Sequence, residues 1–138
     1  MNPPFDTKVA LIVAQDLEVW QKLNVAAFLA TGVTAAAPDA LGELYRDMLG
    51  RTHGRLLGQP IMIHSADAAG LLRAYQKTID RELEHCVYVR AMFSTGHDEA
   101  NREAFAREPV EAPDLVGLAL RGPKNSVDKA IKGLMLHP

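Results

Sequence analysis

The run KVALIVAQ, residues 8–15, limits the possible folds of this chain more than any other feature. It is short and almost uniformly apolar, whereas a strand with one face in water alternates apolar and polar residues. A strand with this composition is covered on both faces. We therefore expect residues 8–15 to form a central strand of a sheet.

Three further runs have the composition of strands, and helical patterns separate most of them. These runs are residues 60–65, 86–90 and 114–122. Strands that alternate with helices predict a layered α/β fold with a mostly parallel sheet and right-handed crossovers. Ligands of such sheets usually sit beyond the carboxyl ends of strands. This rule points to residues 16–22, 91–101 and 121–125.

The helical patterns differ in how much of their surface is apolar. Glu18 stands in the first turn of a helix that Thr31 and Gly32 are expected to close, and apolar residues occupy more than one side of it. Either a second helix or a second subunit would cover the additional apolar surface. Asp67 is expected to cap the next helix, whose apolar residues recur at spacings of three and four.

The middle and the end of the chain carry the remaining predicted elements. Residues 34–58 lack sustained periodicity and contain several glycines, so we expect a long excursion with a short hairpin within residues 44–57. Segments of this kind are often lids or interface arms. A last helix is expected to begin at Pro123, and Gly133 is expected to help end it.

Length, charge and cysteine usage limit the class of protein. A chain of 138 residues fits one domain, residues 1–138. The net charge of −2 and the pI near 6.2 give no basic footprint for nucleic acid, although a local basic patch stays open. One cysteine cannot form an internal disulfide, and no signal peptide is recognisable. No apolar run approaches the length of about 20 residues that a membrane span needs. We therefore expect a cytoplasmic protein outside the membrane.

The segment TGHDEAN, residues 95–101, is the most polar candidate site. In a structural interpretation Thr95 is the N-cap of a helix, and Asp98 completes an arrangement like a capping box. In a catalytic interpretation His97 is a general acid or base, because the ordinary histidine pKa is about 6.5, and Asp98 or Glu99 orients it. His97 and Asn101 lie four residues apart, hence on one helix face, which either meets water or lines a ligand pocket.

Other residues are candidates for ligand contacts. Lys22 either places an ammonium over a bound anion or projects into solvent, and Trp20 either stacks on a planar ligand or packs in a core or interface. Lys124 follows a Gly-Pro turn at a helix start, where free backbone amides bind anions. Cys86 is expected to be a small buried hydrophobe, and His64 faces either the core or the ligand edge of the sheet. The sequence has no HExxH motif and no cysteine and histidine cluster, so it predicts neither a metal nor a cofactor.

Three separated runs carry a resemblance that covers nearly the whole chain. They are KVALIVAQDLEVWQKLNVAAFLATG, GHDEAN and DLVGLALRGPKNSVDKAIKGLMLHP, in that order. With them the chain resembles the bacterial family called domain of unknown function 2000, which in turn is similar to the second class of peptidyl-tRNA hydrolases. The resemblance implies a three-layer α/β/α sandwich around a mixed four-stranded sheet of order 2-1-4-3. It also implies one antiparallel strand and a homodimer.

The same resemblance implies roles for single residues. The hydrolases carry an Asp-Leu pair after their first strand, which this chain matches from Asp16 onward. With one inserted residue, Lys22 meets a lysine of the family's turn, whereas Asn24 stands where another lysine belongs. The hydrolases follow their third strand with an aspartate and, four positions later, a threonine. Ala91 stands at the aspartate position and Thr95 keeps the threonine, while GHDEAN offers a substitute carboxylate.

Three functions agree with these residues. The first is hydrolysis of an ester or amide, in which Lys22 and Thr95 stabilise an oxyanion or position water and His97 or Asp98 transfers the proton. The second is a non-catalytic dimeric module that binds a small molecule or an anion in the same cleft. Its expected ligand contacts are Asp16, Trp20, Asn24, Glu99, Asn101 and Lys124. The third is a tRNA-interacting protein, which the acidic pI disfavours and which requires positive side chains gathered on one face. Those side chains are Lys22, Arg51, Arg55, Arg121 and Lys124.

Overall fold

The structure, a computed structural model, describes residues 6–138. The strands are β1 (Thr7–Ala14), β2 (Tyr45–Arg46), β3 (Thr52–His53), β4 (Ile61–Ala66), β5 (Glu84–Val89), β6 (Leu115–Pro123) and β7 (Met135–Leu136). The helices are α1 (Val19–Ala36), α2 (Ala68–Asp80), α3 (Asp98–Ala106) and α4 (Lys124–Ala130), with 3-10 turns at Pro38–Ala40 and Arg90–Ser94. None of the helices between residues 6 and 138 combines the length and the apolar character that a membrane crossing requires.

The strands form one mixed sheet of five strands and a separate two-stranded hairpin. The sheet has the order β5-β6-β1-β4-β7, and β2 pairs with β3 in the hairpin. Within residues 6–138, β1 and β4 are the one parallel pair of neighbours, whereas β1–β6, β5–β6 and β4–β7 are antiparallel. The sheet therefore has one strand more than the predicted four, and most of its neighbouring strands are antiparallel rather than parallel. Counted without β7, the strands lie in the order β4-β1-β6-β5, which corresponds to 2-1-4-3 with β6 antiparallel.

Local features explain the extra strand and the antiparallel pairs. Gly133 has a φ of 89°, a left-handed conformation that favours glycine, and it turns the chain after α4 back along β4. Residues Met135–Leu136 then pair with β4 and add an edge strand that the sequence did not predict. At the other edge, the Arg90 backbone N–H donates to the Asp114 carbonyl oxygen at 3.0 Å, so β6 begins where β5 ends. Strand β6 then runs back along β5 in the antiparallel direction.

Helices cover both faces of the sheet. Helix α1 packs on one face against β1, β5 and β6, whereas α2 and α4 pack on the other face against β1 and β6. Gly117 on β6 permits the close approach of α1, because a Cβ there would lie 2.8 Å from Leu29 Cδ1 and closer still to Val25. Gly122, of opposite parity on the same strand, faces Leu83 and Val127. The apolar strands β1 and β6 form the core between these helical layers.

Helix α1 continues past the glycine at which the sequence predicts its end. Gly32 lies within the helix, and a Cβ at this position would lie 2.7 Å from Cys86 Sγ. This glycine therefore serves the close packing of α1 on β5 rather than helix termination. At the other end, Glu18 is the N-cap residue and forms a capping box with Gln21, whose Oε1 accepts from the Glu18 backbone N–H at 2.9 Å.

The predicted excursion contains the predicted hairpin, which is organised around Asp47. The Asp47 carboxylate accepts hydrogen bonds from the backbone N–H groups of Leu49 and Arg51 at 2.9 and 3.0 Å. It also contacts Arg51 Nε at 2.8 Å and His53 Nε2 at 3.1 Å. The hydrogen bond with His53 is the main cause of the lowered pKa of Asp47. A single carboxylate thus fixes this exposed turn.

His64 on β4 lies in the core rather than at the ligand edge of the sheet. The residue is 6% exposed, and its Nδ1 atom has no hydrogen-bond partner within residues 6–138. Burial lowers the pKa of the His64 imidazole below its ordinary value. The folded protein therefore keeps His64 neutral at pH values at which the unfolded chain begins to bind a proton.

We expect the free energy of unfolding to decrease as the pH falls from about 6.5, the ordinary histidine pKa, toward the lower pKa of folded His64. Above that range both states hold a neutral imidazole, and the group contributes no pH dependence. Urea unfolding of the wild type and of His64→Leu at about pH 7.5 and about pH 5.5 measures the effect. Because leucine does not titrate, the variant should lose less stability between these two values. An equal loss in both proteins would contradict the assignment.

Candidate functional site

One edge of the sheet collects several strand ends. Strands β1, β4 and β5 run in the same direction, so their carboxyl ends meet at this edge together with the amino end of β6. Arg90, which follows β5, lies 3.5 Å from Asp16 Oδ2 and 3.4 Å from Asp114 Oδ2. One guanidinium therefore links the ends of β5, β1 and β6. The three side chains are about half exposed or more, which limits the contribution of these ion pairs to stability.

The turn at residues 121–125 lies at the opposite edge. Strand β6 is antiparallel to β1, and Pro123 pairs with Thr7, the first residue of β1. The predicted ligand residue Lys124 is exposed at this edge, a strand length away from Asp16. Placing Lys124 in one cleft with Asp16 is therefore wrong, because that prediction treated the carboxyl end of β6 as parallel to that of β1.

The segment TGHDEAN begins helix α3. His97, rather than Thr95, is the N-cap residue, and its Nδ1 atom accepts a hydrogen bond from the Ala100 backbone N–H at 3.2 Å. The prediction of Thr95 as the N-cap is wrong, because the helix starts two residues later. An imidazole that accepts at Nδ1 carries its proton on Nε2. The cap role therefore fixes the tautomer of His97 while its side chain stays exposed.

The other polar residues of the segment also have partners within it. Thr95 Oγ1 donates to the Met92 carbonyl oxygen at 2.9 Å and lies against the side-chain amide of Asn101. Asp98 pairs with Arg102, one helical turn later. Glu99 is exposed in the first turn of α3. These contacts favour the structural interpretation of the segment, in which polar residues start a helix.

A pocket of about 310 Å³, here called the α3 pocket, lies between α1, β5 and α3. Asp98 and Asn101 line one side of it, and Cys86 and Tyr88 line the other. Burial raises the pKa of the Cys86 thiol and of the Tyr88 hydroxyl, so neither group is ionised at neutral pH. The Cys86 thiol and the Tyr88 hydroxyl are therefore not activated as nucleophiles.

We expect Cys86 to react with iodoacetamide at least about tenfold more slowly in the folded protein than in urea, because the thiolate is the reactive form and burial disfavours it. Mass spectrometry at mildly alkaline pH measures the two rates. The chain has one cysteine, so the modification is unambiguous. Equal rates in the two states would show that the thiol is accessible in the folded protein.

Aromatic side chains connect α1 to the turn after β5. The ring centroids are 5.9 Å apart for Trp20 and Phe93, 5.3 Å for Phe93 and Tyr88, and 6.1 Å for Tyr88 and Phe28. Trp20 Nε1 also donates to Glu18 Oε2 at 2.8 Å. Trp20 keeps 57% of its surface exposed, and its stacking on a planar ligand stays a prediction. Its contacts show that it helps to hold the start of α1 against the turn at Arg90–Ser94.

Lys22 lies on the other flank of α1, toward β4. It lines a groove of about 500 Å³ between α1, β4 and β7. We call this cavity the apolar groove, because most of its lining side chains are apolar. They include Val19, Leu23, Ala26, Ile61, Ile63 and Leu136. Because Asp98 and Asn101 line the α3 pocket, the structure does not bring them into one pocket with Lys22. The predicted ligand residue Asn24 is exposed on α1 and lines neither of these two cavities.

Lys22 also lines a more polar cleft that adjoins the apolar groove. This basic cleft, of about 670 Å³, lies beyond the carboxyl ends of the parallel strands β1 and β4. Its polar lining side chains are Gln15, Lys22, Ser65, Asp67, Arg73 and His137. Ligands of open α/β sheets commonly sit at the carboxyl ends of parallel strands. The basic cleft is therefore the candidate site that the topology favours.

Two positive charges of the basic cleft have no acidic partner. Within residues 6–138, no carboxylate lies within 4.0 Å of the Lys22 ammonium or the Arg73 guanidinium. Asp67 is the N-cap of α2, and its Oδ1 accepts from the Gly70 backbone N–H at 2.8 Å. Its charge is thus already stabilised by the start of a helix. Among the lining side chains, two cations therefore stand beside one carboxylate that already has a partner.

His137 adds a polar atom that the fold leaves without a partner. Its Nδ1 atom lies 2.9 Å from the Pro138 carbonyl oxygen, which can only accept, so Nδ1 carries a proton. The other ring nitrogen, Nε2, is buried and has no hydrogen-bond partner among residues 6–138. Buried polar atoms in proteins nearly always have a partner. His137 therefore lines the cleft with an imidazole whose hydrogen bonds the described residues satisfy only in part.

Among the residues that line the basic cleft, Lys22 is predicted from the sequence as a ligand contact, whereas Arg73, Ser65 and His137 are not. The available signal was the carboxyl end of the second predicted strand, where Ser65 and Asp67 follow one another closely. Arg73 stands on an exposed position of an amphipathic helix, where an arginine carries no distinctive signal. His137 reaches the site because β7 pairs with β4, and no pattern in the sequence predicted that strand.

Within residues 6–138, no group of three or more histidine, cysteine, aspartate or glutamate side chains is placed to hold a metal ion. The fold and the site define an α/β protein with a mixed five-stranded sheet and a basic cleft beside its parallel strand pair. Residues 7–138 match the family described as a protein of unknown function (DUF2000), and the chain belongs to that family. The predicted family is thereby confirmed.

A solved structure of a protein of unknown function from Agrobacterium tumefaciens is similar to the chain. The two share 42% sequence identity, and the TM-score is 0.94. The similarity covers 97% of this chain and 99% of that chain. No curated protein matches the chain. The comparisons therefore establish the family and support the fold, while the function rests on the geometry of the site.

Proposed function

We propose that the protein is a non-catalytic module that binds a small anionic molecule in the basic cleft. The observation that carries this proposal is the pair of cations Lys22 and Arg73, which have no acidic partner among residues 6–138 and line a cleft beyond the carboxyl ends of β1 and β4. An anionic group between these cations accepts charge-assisted hydrogen bonds from both.

The types of the two cations agree with an anionic ligand. A guanidinium offers a planar fork of donors that matches the oxygen atoms of a carboxylate or a phosphate, and an ammonium adds a mobile point charge. Lys22 is partly buried, so its interaction with an anion is less screened than that of a fully exposed lysine. Both charges lie at the strand ends, where the sheet places ligands.

The two other functions have less support from the geometry. Ester or amide hydrolysis requires Lys22 and the residues 95–101 in one site, and these line different flanks of α1. Binding of tRNA requires a common basic face, but Arg51 pairs with Asp47 in the hairpin. Arg121 donates to Gln59 and Thr7 near the opposite edge of the sheet. The similarity to peptidyl-tRNA hydrolases, the homodimer and the cytoplasmic location stay predictions.

Isothermal titration with acetate and with inorganic phosphate tests the proposal. We expect Lys22→Gln and Arg73→Gln each to weaken binding of the preferred anion about tenfold, because each removes one charge-assisted hydrogen bond. Lys124→Gln is the matched control, since this exposed lysine lies at the opposite edge of the sheet.

If Lys22→Gln and the Lys124→Gln control lose equal affinity for the anion, only the overall charge of the protein matters for binding. The absence of binding for both anions, with the wild type confirmed as folded by circular dichroism, would overturn the proposal.

A further inference from the structure

The apolar groove continues directly from the basic cleft. The two cavities share Lys22, Leu136 and His137 in their walls. Along the groove, Val19 is 73% exposed and Leu23 is 66% exposed, although both are apolar. A continuous run of exposed apolar side chains beside a cleft with convergent polar groups is characteristic of a ligand site rather than of an ordinary surface.

We propose that the ligand is an amphipathic anion, with a carboxylate or phosphate head in the basic cleft and a hydrocarbon chain in the apolar groove. This inference rests on the proposed function and names its class of ligand. Lys22 links the two parts of the site, because its side chain lines both cavities. A lysine at such a junction packs its methylene stem along apolar surface and presents its ammonium to the charged head.

The chemistry of the groove selects this occupant over a second copy of the chain. An occupant must cover exposed leucine, valine and isoleucine side chains and, at one end, meet the ammonium of Lys22. An amphipathic anion satisfies both demands with one molecule. A purely apolar surface would bury the ammonium of Lys22 without a partner, which is unfavourable.

Isothermal titration with acetate, butyrate, hexanoate and octanoate, and with octyl phosphate and 1-octanol, tests the inference. Each methylene that enters the groove should tighten binding about twofold to fourfold, so octanoate should bind at least about tenfold more tightly than butyrate. Lys22→Gln should weaken octanoate binding about tenfold. The stronger of octanoate and octyl phosphate identifies the head group, and either result agrees with the inference.

Leu23→Gln separates the inference from the proposed function. Leu23 is exposed, so the change leaves folding intact and should weaken octanoate binding at least about threefold while acetate binding stays unchanged. Met48→Gln on the hairpin is the control, because Met48 is fully exposed and lies outside both cavities.

The contrary outcomes are distinct. Acetate binding with no dependence on chain length would overturn the amphipathic ligand and keep the anion site. The absence of binding for every anion would overturn both proposals. Binding of 1-octanol as tight as that of octanoate, and insensitive to Lys22→Gln, would overturn the role of the charged head. A dimer in sedimentation experiments that Leu23→Gln dissociates, without binding of octanoate, would assign the groove to a second copy of the chain.

Discussion

Replacing Gly117 with alanine is expected to lower the free energy of unfolding by about 1–3 kcal/mol, and valine at this position by about 3 kcal/mol or more. The reason is the close approach of α1 to β6. A Cβ at Gly117 would overlap Val25 and lie 2.8 Å from Leu29, and both of these residues are buried. Neither can move away without shifting the helix or leaving its rotamer. Urea denaturation of the two variants measures the graded loss.

Gly54→Ala is the matched control for the change at Gly117. A Cβ at Gly54 meets no atom within 4 Å, and its φ lies outside the left-handed region. The control should leave the free energy of unfolding unchanged or raise it by up to about 1 kcal/mol, because alanine restricts the unfolded chain. A Gly117→Ala variant as stable as this control would show that α1 lies farther from the sheet than the structure has it.

The sequence predicts the strands of this fold better than their directions. The apolar runs at residues 8–15 and 114–122 correctly predict β1 and β6 as strands covered on both faces. Composition does not encode whether such a strand runs parallel or antiparallel to its neighbour. That choice depends on the edge from which the chain enters the sheet, and the hydrogen bond between the Arg90 N–H and the Asp114 carbonyl oxygen shows that β6 enters at the edge where β5 ends. The prediction that Lys124 shares a cleft with Asp16 was wrong for this reason.

The predicted site residues lie on two different flanks of α1 for a similar physical reason. Helical periodicity shows that Lys22 and Phe28 point in different directions, but it does not show which strand each of them faces. Strand order decides that α1 separates β5 on one flank from β4 on the other. Lys22 was therefore recognisable as a candidate from its place after β1, whereas its partners Arg73 and His137 were not. They depend on α2 and β7, which reach the cleft through β4.

Replacing Leu118 with alanine is expected to lower the free energy of unfolding by about 2–5 kcal/mol, because the change leaves a cavity in the core. Leu118 is 0% exposed and, by the alternation of β6, lies on the same face as Gly122, toward Leu83 and Val127. Leu49→Ala in the hairpin is the control. Leu49 is 79% exposed, so its removal should change stability by no more than about 0.5 kcal/mol.

Gly117 and Leu118 are adjacent on β6 but face opposite helical layers, and this difference tests the location of the site. Helix α1 carries Lys22, so a displacement of α1 by Gly117→Ala should weaken anion binding in the folded protein. Leu118→Ala acts on the layer of α2 and α4, so it should leave the Lys22 contact in place, whereas α2 also carries Arg73 of the same cleft. Titration with the preferred anion, under conditions in which both variants are folded, distinguishes these effects. A Gly117→Ala variant that binds the anion as tightly as the wild type would place the anion away from Lys22 and contradict the basic cleft as the binding site.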